Sequence, residues 1–294
     1  MYDYIIATSS TADLPSEYLA DHSIPFIAYS YTVGEELRVD DCSEASREAV
    51  YRGMRAGDRL KTSMINEYTY YDFFKSLMET GKDVLFMDMS VKMSVSYSNS
   101  LAAAEKIRAE YPDQRLVVMD TRCISGGLGL LVEEVVRRAE AGGSFDDVLA
   151  WAEENKLRMA HRFTVDDLNY LKAGGRVSNT SALVGSMLDI KPVLYVPDIG
   201  TLEVAQKVRG RRKALRTIID GILHDLESTD TAGREMRILH ADCLSDAESV
   251  RQAVLEAHPD MGEIRITSLG VVIGAHCGPG LLAVFYLCGG RRPK

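Results

Sequence analysis

The sequence predicts an α/β protein of two domains, an N-terminal α/β domain with a parallel sheet over residues 1–160 and a C-terminal α+β domain with a largely antiparallel sheet over residues 161–294. Three observations predict it. The chain has 294 residues, too many for one small core and suited to two. In the first half, apolar runs of strand length are followed repeatedly by a hydroxyl-rich loop and a helical stretch, the succession that builds a parallel sheet. After a helix that ends near Lys156, that succession gives way to hairpin signals, which suit antiparallel pairing. The boundary falls near Arg158–Thr164.

Tyr4 to Thr8 reads as a strand that runs through Ser9-Ser10-Thr11 into a helix from Ser16 to His22. Ile24 to Val39 reads as a hairpin around Gly34-Glu35-Glu36. A helix from Ser43 stops at Gly57, and Lys61-Thr62-Ser63 lies in a loop before a helix over Tyr68–Met78. Val84–Met87 and Leu116–Met119 are buried strands. The loops expected after them are Ser90–Ser100 and Asp120–Gly127. Ligands in such sheets sit at the carboxyl ends of strands, and there Ser9, Ser10, Thr62, Ser63, Ser94 and Ser96 are expected to cluster.

The stretch from Phe163 to Leu194 carries the densest signals. Asp166 or Asp167 can cap a short helix with Leu168 and Leu171 inward, and Gly174-Gly175 can end it. Ser178 offers a second cap for a small-residue helix over Ala182–Leu188, and Lys191-Pro192 launches a strand. Further on, a hairpin turns at Pro197–Gly200, and helix Ala214–Leu226, strand Met236–His240 and helix Ala247–His258 follow. Ser268 to Gly290 has no charged residue over a length that could span a bilayer. His276 and Gly278-Pro279-Gly280 interrupt it, so two buried strands joined by a turn are expected instead.

A net charge of −9 argues against a nucleic-acid binder, which needs clustered Lys and Arg. Lys207, Arg209, Arg211, Arg212 and Lys213 form a local basic run, either a solvated face or an anion or partner contact. The five cysteines show no CxxC spacing, so neither a disulfide framework nor a structural zinc site is indicated. The opening residues have no signal-peptide pattern, and a reducing cytoplasm is the expected compartment.

No Gly-x-Ser-x-Gly elbow is present. His276 alone sits in a Gly-rich apolar setting, as a satisfied core histidine or as a donor to an anion in an apolar pocket. His240-x-Asp242-Cys243 follows no familiar metal-ligand pattern, and Gly126-Gly127-x-Gly129 departs from the dinucleotide fingerprint. No metal and no cofactor are expected.

Together the motifs SSTADL, KTS, MSVSYSNS, DTRCISGGLG, FTVDDLNYLKAGGRVS, KVRGRRKA and GAHCGPG, in this order from Ser9 to Gly280, resemble the DegV family of bacterial lipid-binding proteins. The resemblance implies one long-chain fatty acid, of roughly 14 to 18 carbons, buried between the two domains. It also implies a carrier without catalysis of its own. Such a carrier presents the acyl carboxylate to the ATP-binding subunit of a fatty acid kinase and takes acyl-phosphate away. Carried over by motif, Thr62, Ser63, Ser94 and His276 hold the carboxylate, while Arg176 and Arg209 face the kinase partner. Ile124, Leu128, Leu183, Met187, Leu188 and Ile190 are expected along the acyl tunnel. A monomer, in transient contact with membrane surfaces, is expected.

The chain departs from the family at Ser9, where the family has aspartate, at Val95 and Ser96, where it has glycine and threonine, and at Met64-Ile65-Asn66, which lack its proline. These positions bear on head-group geometry. The competing reading is a stand-alone serine-dependent hydrolase or acyltransferase using Ser94 or Ser10 with His276. A small-anion sensor is a third.

Overall fold

The computed structural model describes residues 2–176, 189–227, 229–230 and 233–291. The first half runs β1 (Tyr4–Ser9), a 3-10 turn, α1 (Ser16–Asp21), β2 (Phe26–Ile27), β3 (Ser30–Val33), β4 (Glu36–Val39), α2 (Glu44–Ala56), β5 (Leu60–Thr62) and α3 (Glu67–Met78). It continues through β6 (Asp83–Asp88), α4 (Ser96–Glu110), β7 (Leu116–Asp120), α5 (Gly126–Glu140) and α6 (Phe145–Asn155). The second half runs β8 (Met159–Thr164), α7 (Leu168–Ala173), β9 (Ile190–Tyr195), β10 (Glu203–Arg209) and α8 (Arg211–Leu226). It ends with β11 (Met236–His240), α9 (Leu244–Ala257), β12 (Ile264–Ser268), α10 (Val271–Cys277) and β13 (Leu282–Leu287).

Three sheets result. The parallel sheet has the order β2-β1-β6-β7. The second, β10-β9-β8-β13-β11-β12, is antiparallel except between β11 and β12. A small antiparallel sheet, β4-β3-β5, stands beside them. The fold is therefore α/β, with a parallel N-terminal sheet and a mostly antiparallel C-terminal one, as the sequence predicts. The latter takes in Met159–Thr164 as β8, every residue of which is buried.

Helix α5 lies between the two large sheets and is buried along most of its length, because its residues are apolar on nearly every side. The glycines at its start make that approach feasible. A Cβ on Gly126 would come within 2.7 Å of Phe285, and one on Gly127 within 2.1 Å of His161 Nε2. The Gly-Gly-x-Gly pattern thus serves helix packing. Glu133, buried on the same helix, accepts two bonds of 2.6 Å from Arg237 and one of 2.6 Å from Arg265. Those bonds satisfy a charge that would be costly to bury alone.

Several expected boundaries move. Thr62 ends a strand rather than lying in a loop, because Leu60–Thr62 pairs with Tyr31–Val33. Phe26–Ile27 leaves the expected hairpin and joins the parallel sheet beside β1. Helix α4 begins at Ser96, inside the expected Ser90–Ser100 loop, and its Ser100 hydroxyl bonds back to Tyr97 O at 2.7 Å.

The largest correction concerns the uncharged C-terminal stretch. Its two strands are not joined by a turn and do not pair; β11 runs between them, and helix α10 occupies the link. The β-branched Val271-Val272-Ile273 reads as strand locally. Packing of α10 against α2 and α7 overrides that preference. Among the described residues no helix is long and apolar enough to cross a membrane. The expected helix capped by Ser178, with Leu183, Met187 and Leu188, lies outside the described residues.

Candidate functional site

Where β5, the loop before α4, α7 and α10 converge, the surface opens into a cleft with about 660 Å³ of atom-free space. Thr62 reaches it because β5 pairs with β3, and Ser63 N fixes the next residue by donating to Ser30 O at 3.0 Å. His276 reaches it from the last turn of α10. Thr62 Oγ1 and His276 Nε2 are 2.9 Å apart. When the Nε2 proton is the one shared, the threonine hydroxyl keeps its own proton for a ligand oxygen.

Helix α7 closes on the Nδ1 edge of the imidazole, away from Thr62. A Cβ on Gly174 would lie 2.4 Å from His276 Nδ1, so only glycine lets the helix come this near. Asp167 caps α7 by accepting from Asn169 N at 2.8 Å, Leu171 faces inward, and Gly175 takes the left-handed conformation at φ 65°. Burial, and then the neighbouring Arg176 charge, push the His276 pKa down to about 4. The ring is therefore neutral at pH 7 and acts as a hydrogen-bonding group, not a cation.

Ser94 lines the same cleft. Its hydroxyl donates to Ser96 Oγ at 3.0 Å and accepts from Ser96 N at 3.1 Å, while Ser96 Oγ accepts from Ile65 N at 3.0 Å. The start of α4 thus orients Ser94 and ties it to the Thr62 segment. Tyr29, just before β3, adds a hydroxyl that the sequence did not single out. Only 3% exposed, it lines the cleft, and its oxygen lies beside the Ser94, Ser96 and Tyr70 hydroxyls without a hydrogen bond of good geometry to any of them.

Behind this polar end lies a second, apolar chamber, whose space is about 360 Å³ when the adjoining open solvent is counted, bounded by Phe163, Val196, Leu269, Leu281, Ala283 and Phe285. Ile124, Leu202, Ile273 and Cys277 line both spaces, so they adjoin. The chamber wall includes His161, but both its nitrogens are engaged. Nε2 accepts from Ile124 N at 3.1 Å, and Nδ1 is 2.8 Å from Met159 O. Burial depresses its pKa strongly, so it adds no charge.

The remaining expected residues are placed as follows. Ser63 and Ile124 line the cleft, and Arg176 lies at its mouth, exposed, with Nε 3.3 Å from Met93 O. Arg209 is exposed on β10, in register with Ile190 at the start of β9, and neither lines the cleft or the chamber. Leu128 is fully buried in α5 and packs in the core. Ser9 and Ser10 are buried short of the cleft. Ser9 Oγ donates to Asp88 Oδ1 at 2.7 Å, and Ser10 Oγ accepts from Tyr29 N at 3.1 Å.

His276 makes no described hydrogen bond to Ser94 or Ser10. Among the described residues no group of three or more His, Cys, Asp or Glu could hold a metal. Asp242 pairs with Arg55 Nε at 2.8 Å. Besides Tyr29, the sequence reading passed over Val272, Ile273 and Cys277. With His276 they share one face of α10 at helical spacing, a signal hidden once the segment is read as strand.

The family model described as DegV matches residues 4–288. A DegV domain-containing protein of Clostridium perfringens is 36% identical over 296 residues, covering 100% of both chains. Another, from Lactococcus lactis, is 31% identical over 95% of this chain and 96% of its own. Among solved structures, a DegV family protein from Thermus thermophilus described by its fatty acid binding superposes with a TM-score of 0.86 at 26% identity. It covers 98% of this chain and 100% of its own. A Thermotoga maritima protein described as revealing fatty acid binding function gives a TM-score of 0.81 at 25% identity, covering 98% of this chain and 100% of its own. The chain belongs to the DegV family.

Proposed function

We propose that the chain binds one long-chain fatty acid between its 1–160 and 161–294 units. The carboxylate lies at Thr62, Ser63, Ser94 and His276, with Tyr29 as a further donor, and the tail passes Ile124 into the apolar chamber. One observation carries the reading: a cleft rimmed by hydroxyls and a neutral imidazole adjoins a chamber walled almost entirely by apolar side chains. That division matches an amphiphile with one charged end and a long apolar body. A buried carboxylate needs such donors to offset its lost hydration. The fatty acid binding described for the Thermus and Thermotoga relatives supports it.

On this reading the protein has no catalysis of its own. It works in the cytoplasm as a monomer and presents the bound carboxylate to the ATP-binding subunit of a fatty acid kinase. Arg176, at the cleft mouth, and Arg209 meet that partner or its phosphate through charge-assisted contacts. Met64 and Val95, 61% and 65% exposed at the mouth, suit brief contact with a membrane surface.

Native mass spectrometry of the purified protein tests the binding step, with one fatty acid per chain expected. A protein that stays empty when offered such acids overturns the reading. Arg176→Ala tests the partner step: fatty acid binding persists while phosphorylation by the kinase subunit is lost.

A further inference from the structure

Asp13 is a fully buried carboxylate that touches neither the cleft nor the chamber. It follows the 3-10 turn after β1 in the left-handed conformation, at φ 54° and ψ 24°. Burying a charge on a strained residue is costly, and the residues around it show what this arrangement secures. Its Oδ2 accepts the hydroxyl of Ser125, the residue that leads into α5. Its Oδ1 packs against the backbone of Gly270, the N-cap of α10, where a Cβ would come within 1.9 Å, but makes no hydrogen bond of good geometry there.

The two residues before Gly270 are held from the same side. Arg47 on α2 donates to Ser268 O at 2.9 Å and to Leu14 O at 3.0 Å. Tyr51 donates to Leu269 O at 2.9 Å, and its oxygen lies where a Cβ on Gly274 would be, at 2.2 Å. Ser268 and Leu269 are thus held by hydrogen bonds from α2, while Gly270 meets Tyr51 at 3.4 Å through its carbonyl and Asp13 by close packing. Helix α10 then delivers Val272, Ile273, His276 and Cys277 to the cleft. The charged and titratable groups facing Asp13 are Arg47 and Tyr51 on α2, Asp40 and Cys42 before it, and Cys277 on α10.

We propose that Asp13, through its contact with Gly270 and together with Arg47 and Tyr51, is the positioning residue that seats α10 and so fixes His276 against Thr62. Burial pushes the Asp13 pKa up to about 7 against the pull of Arg47 and the Ser125 hydroxyl, which agrees with a carboxylate kept for its place in the structure. The consequence for ligand binding rests on the function proposed above; the seating of His276 does not.

The test is a histidine NMR titration of the ligand-free protein, with His161 as internal reference. In wild type His276 titrates far below an ordinary histidine; in Asp13→Ala it moves toward the ordinary value while His161 stays put. Fatty acid affinity in that variant falls about tenfold, and preference for the acid over the matching alcohol shrinks. Asp13→Asn, which keeps the shape and an acceptor, restores most of both. Should Asp13→Ala fail to fold, Tyr51→Phe supplies the same readout, with a smaller shift in the same direction. An unchanged His276 titration in the folded variant overturns the proposal. A wild-type protein that binds no fatty acid overturns the functional reading instead, and the titration still decides the role of Asp13.

Discussion

Thr62 Oγ1 lies 2.9 Å from His276 Nε2 across 214 positions of sequence. One residue ends a strand of the small sheet, and the other lies in the last turn of a seven-residue helix between β12 and β13. The bond joins the two halves of the chain at the polar end of the cleft. A carboxylate placed there meets the Thr62 hydroxyl, whose proton stays free when His276 donates its own to the threonine oxygen.

Replacing Thr62 with Val or His276 with Leu is expected to weaken fatty acid binding by about ten- to a hundredfold, the range for losing a hydrogen bond to a charged group. Displacement of a fluorescent fatty acid measures it. Affinity equal to wild type in both variants would remove the pair from the head-group site.

The depressed His276 pKa gives a signed pH dependence. The group binds its proton less readily folded, near pH 4, than unfolded, near 6.5. Its contribution to stability is therefore present above 6.5 and lost as pH falls through about 4. Between those values wild type should lose stability with acid by at most about 1.4 kcal/mol per pH unit from this residue. Urea midpoints of His276→Gln should fall less over the same window. Parallel curves would contradict the assignment.

Tyr29→Phe separates binding from folding. The phenolic oxygen is buried beside the Ser94, Ser96 and Tyr70 hydroxyls without a hydrogen bond of good geometry, so its removal should cost at most about 1 kcal/mol of stability. Affinity for the acid should nonetheless fall by about threefold to tenfold. A clear drop in thermal midpoint with unchanged affinity would show that the hydroxyl serves the fold alone.

The adjacent glycines of the Gly-Gly-Arg motif should respond differently. Gly174 has φ −74°, which alanine adopts freely, but its Cβ would press on His276 Nδ1 at 2.4 Å. Gly174→Ala should therefore impair binding more than stability. Gly175 has φ 65° and open space around it, so Gly175→Ala should cost about 1 kcal/mol of stability and leave affinity nearly intact. Thermal melts and displacement assays on both variants check the contrast.

Much of this was legible in the residues. The repeated strand–loop–helix succession gave the parallel sheet, and Ser43 with Gly57 bounded α2 as expected. The ends of α7 were readable at Asp166-Asp167 and Gly174-Gly175, where Asp167 and Gly174 are the caps, because capping is local chemistry. What escaped was decided by tertiary contact. Val271-Val272-Ile273 has strand composition and becomes helix only where α2 and α7 receive it. Asp88, Asp13 and Tyr29 are ordinary letters in sequence. Their roles arise from partners far along the chain, as when Ser9 reaches Asp88 across the sheet at 2.7 Å.

The central claim is that the carboxylate sits at Thr62 and His276 while the tail fills the chamber behind Ile124. A crystal structure with a fatty acid brominated at its terminal carbon tests this most directly. The account predicts an anomalous peak among Phe163, Ala283 and Phe285, with the carboxylate within hydrogen-bond distance of Thr62 and His276. A bromine at the cleft mouth, or lipid density outside the cleft and chamber, would contradict it.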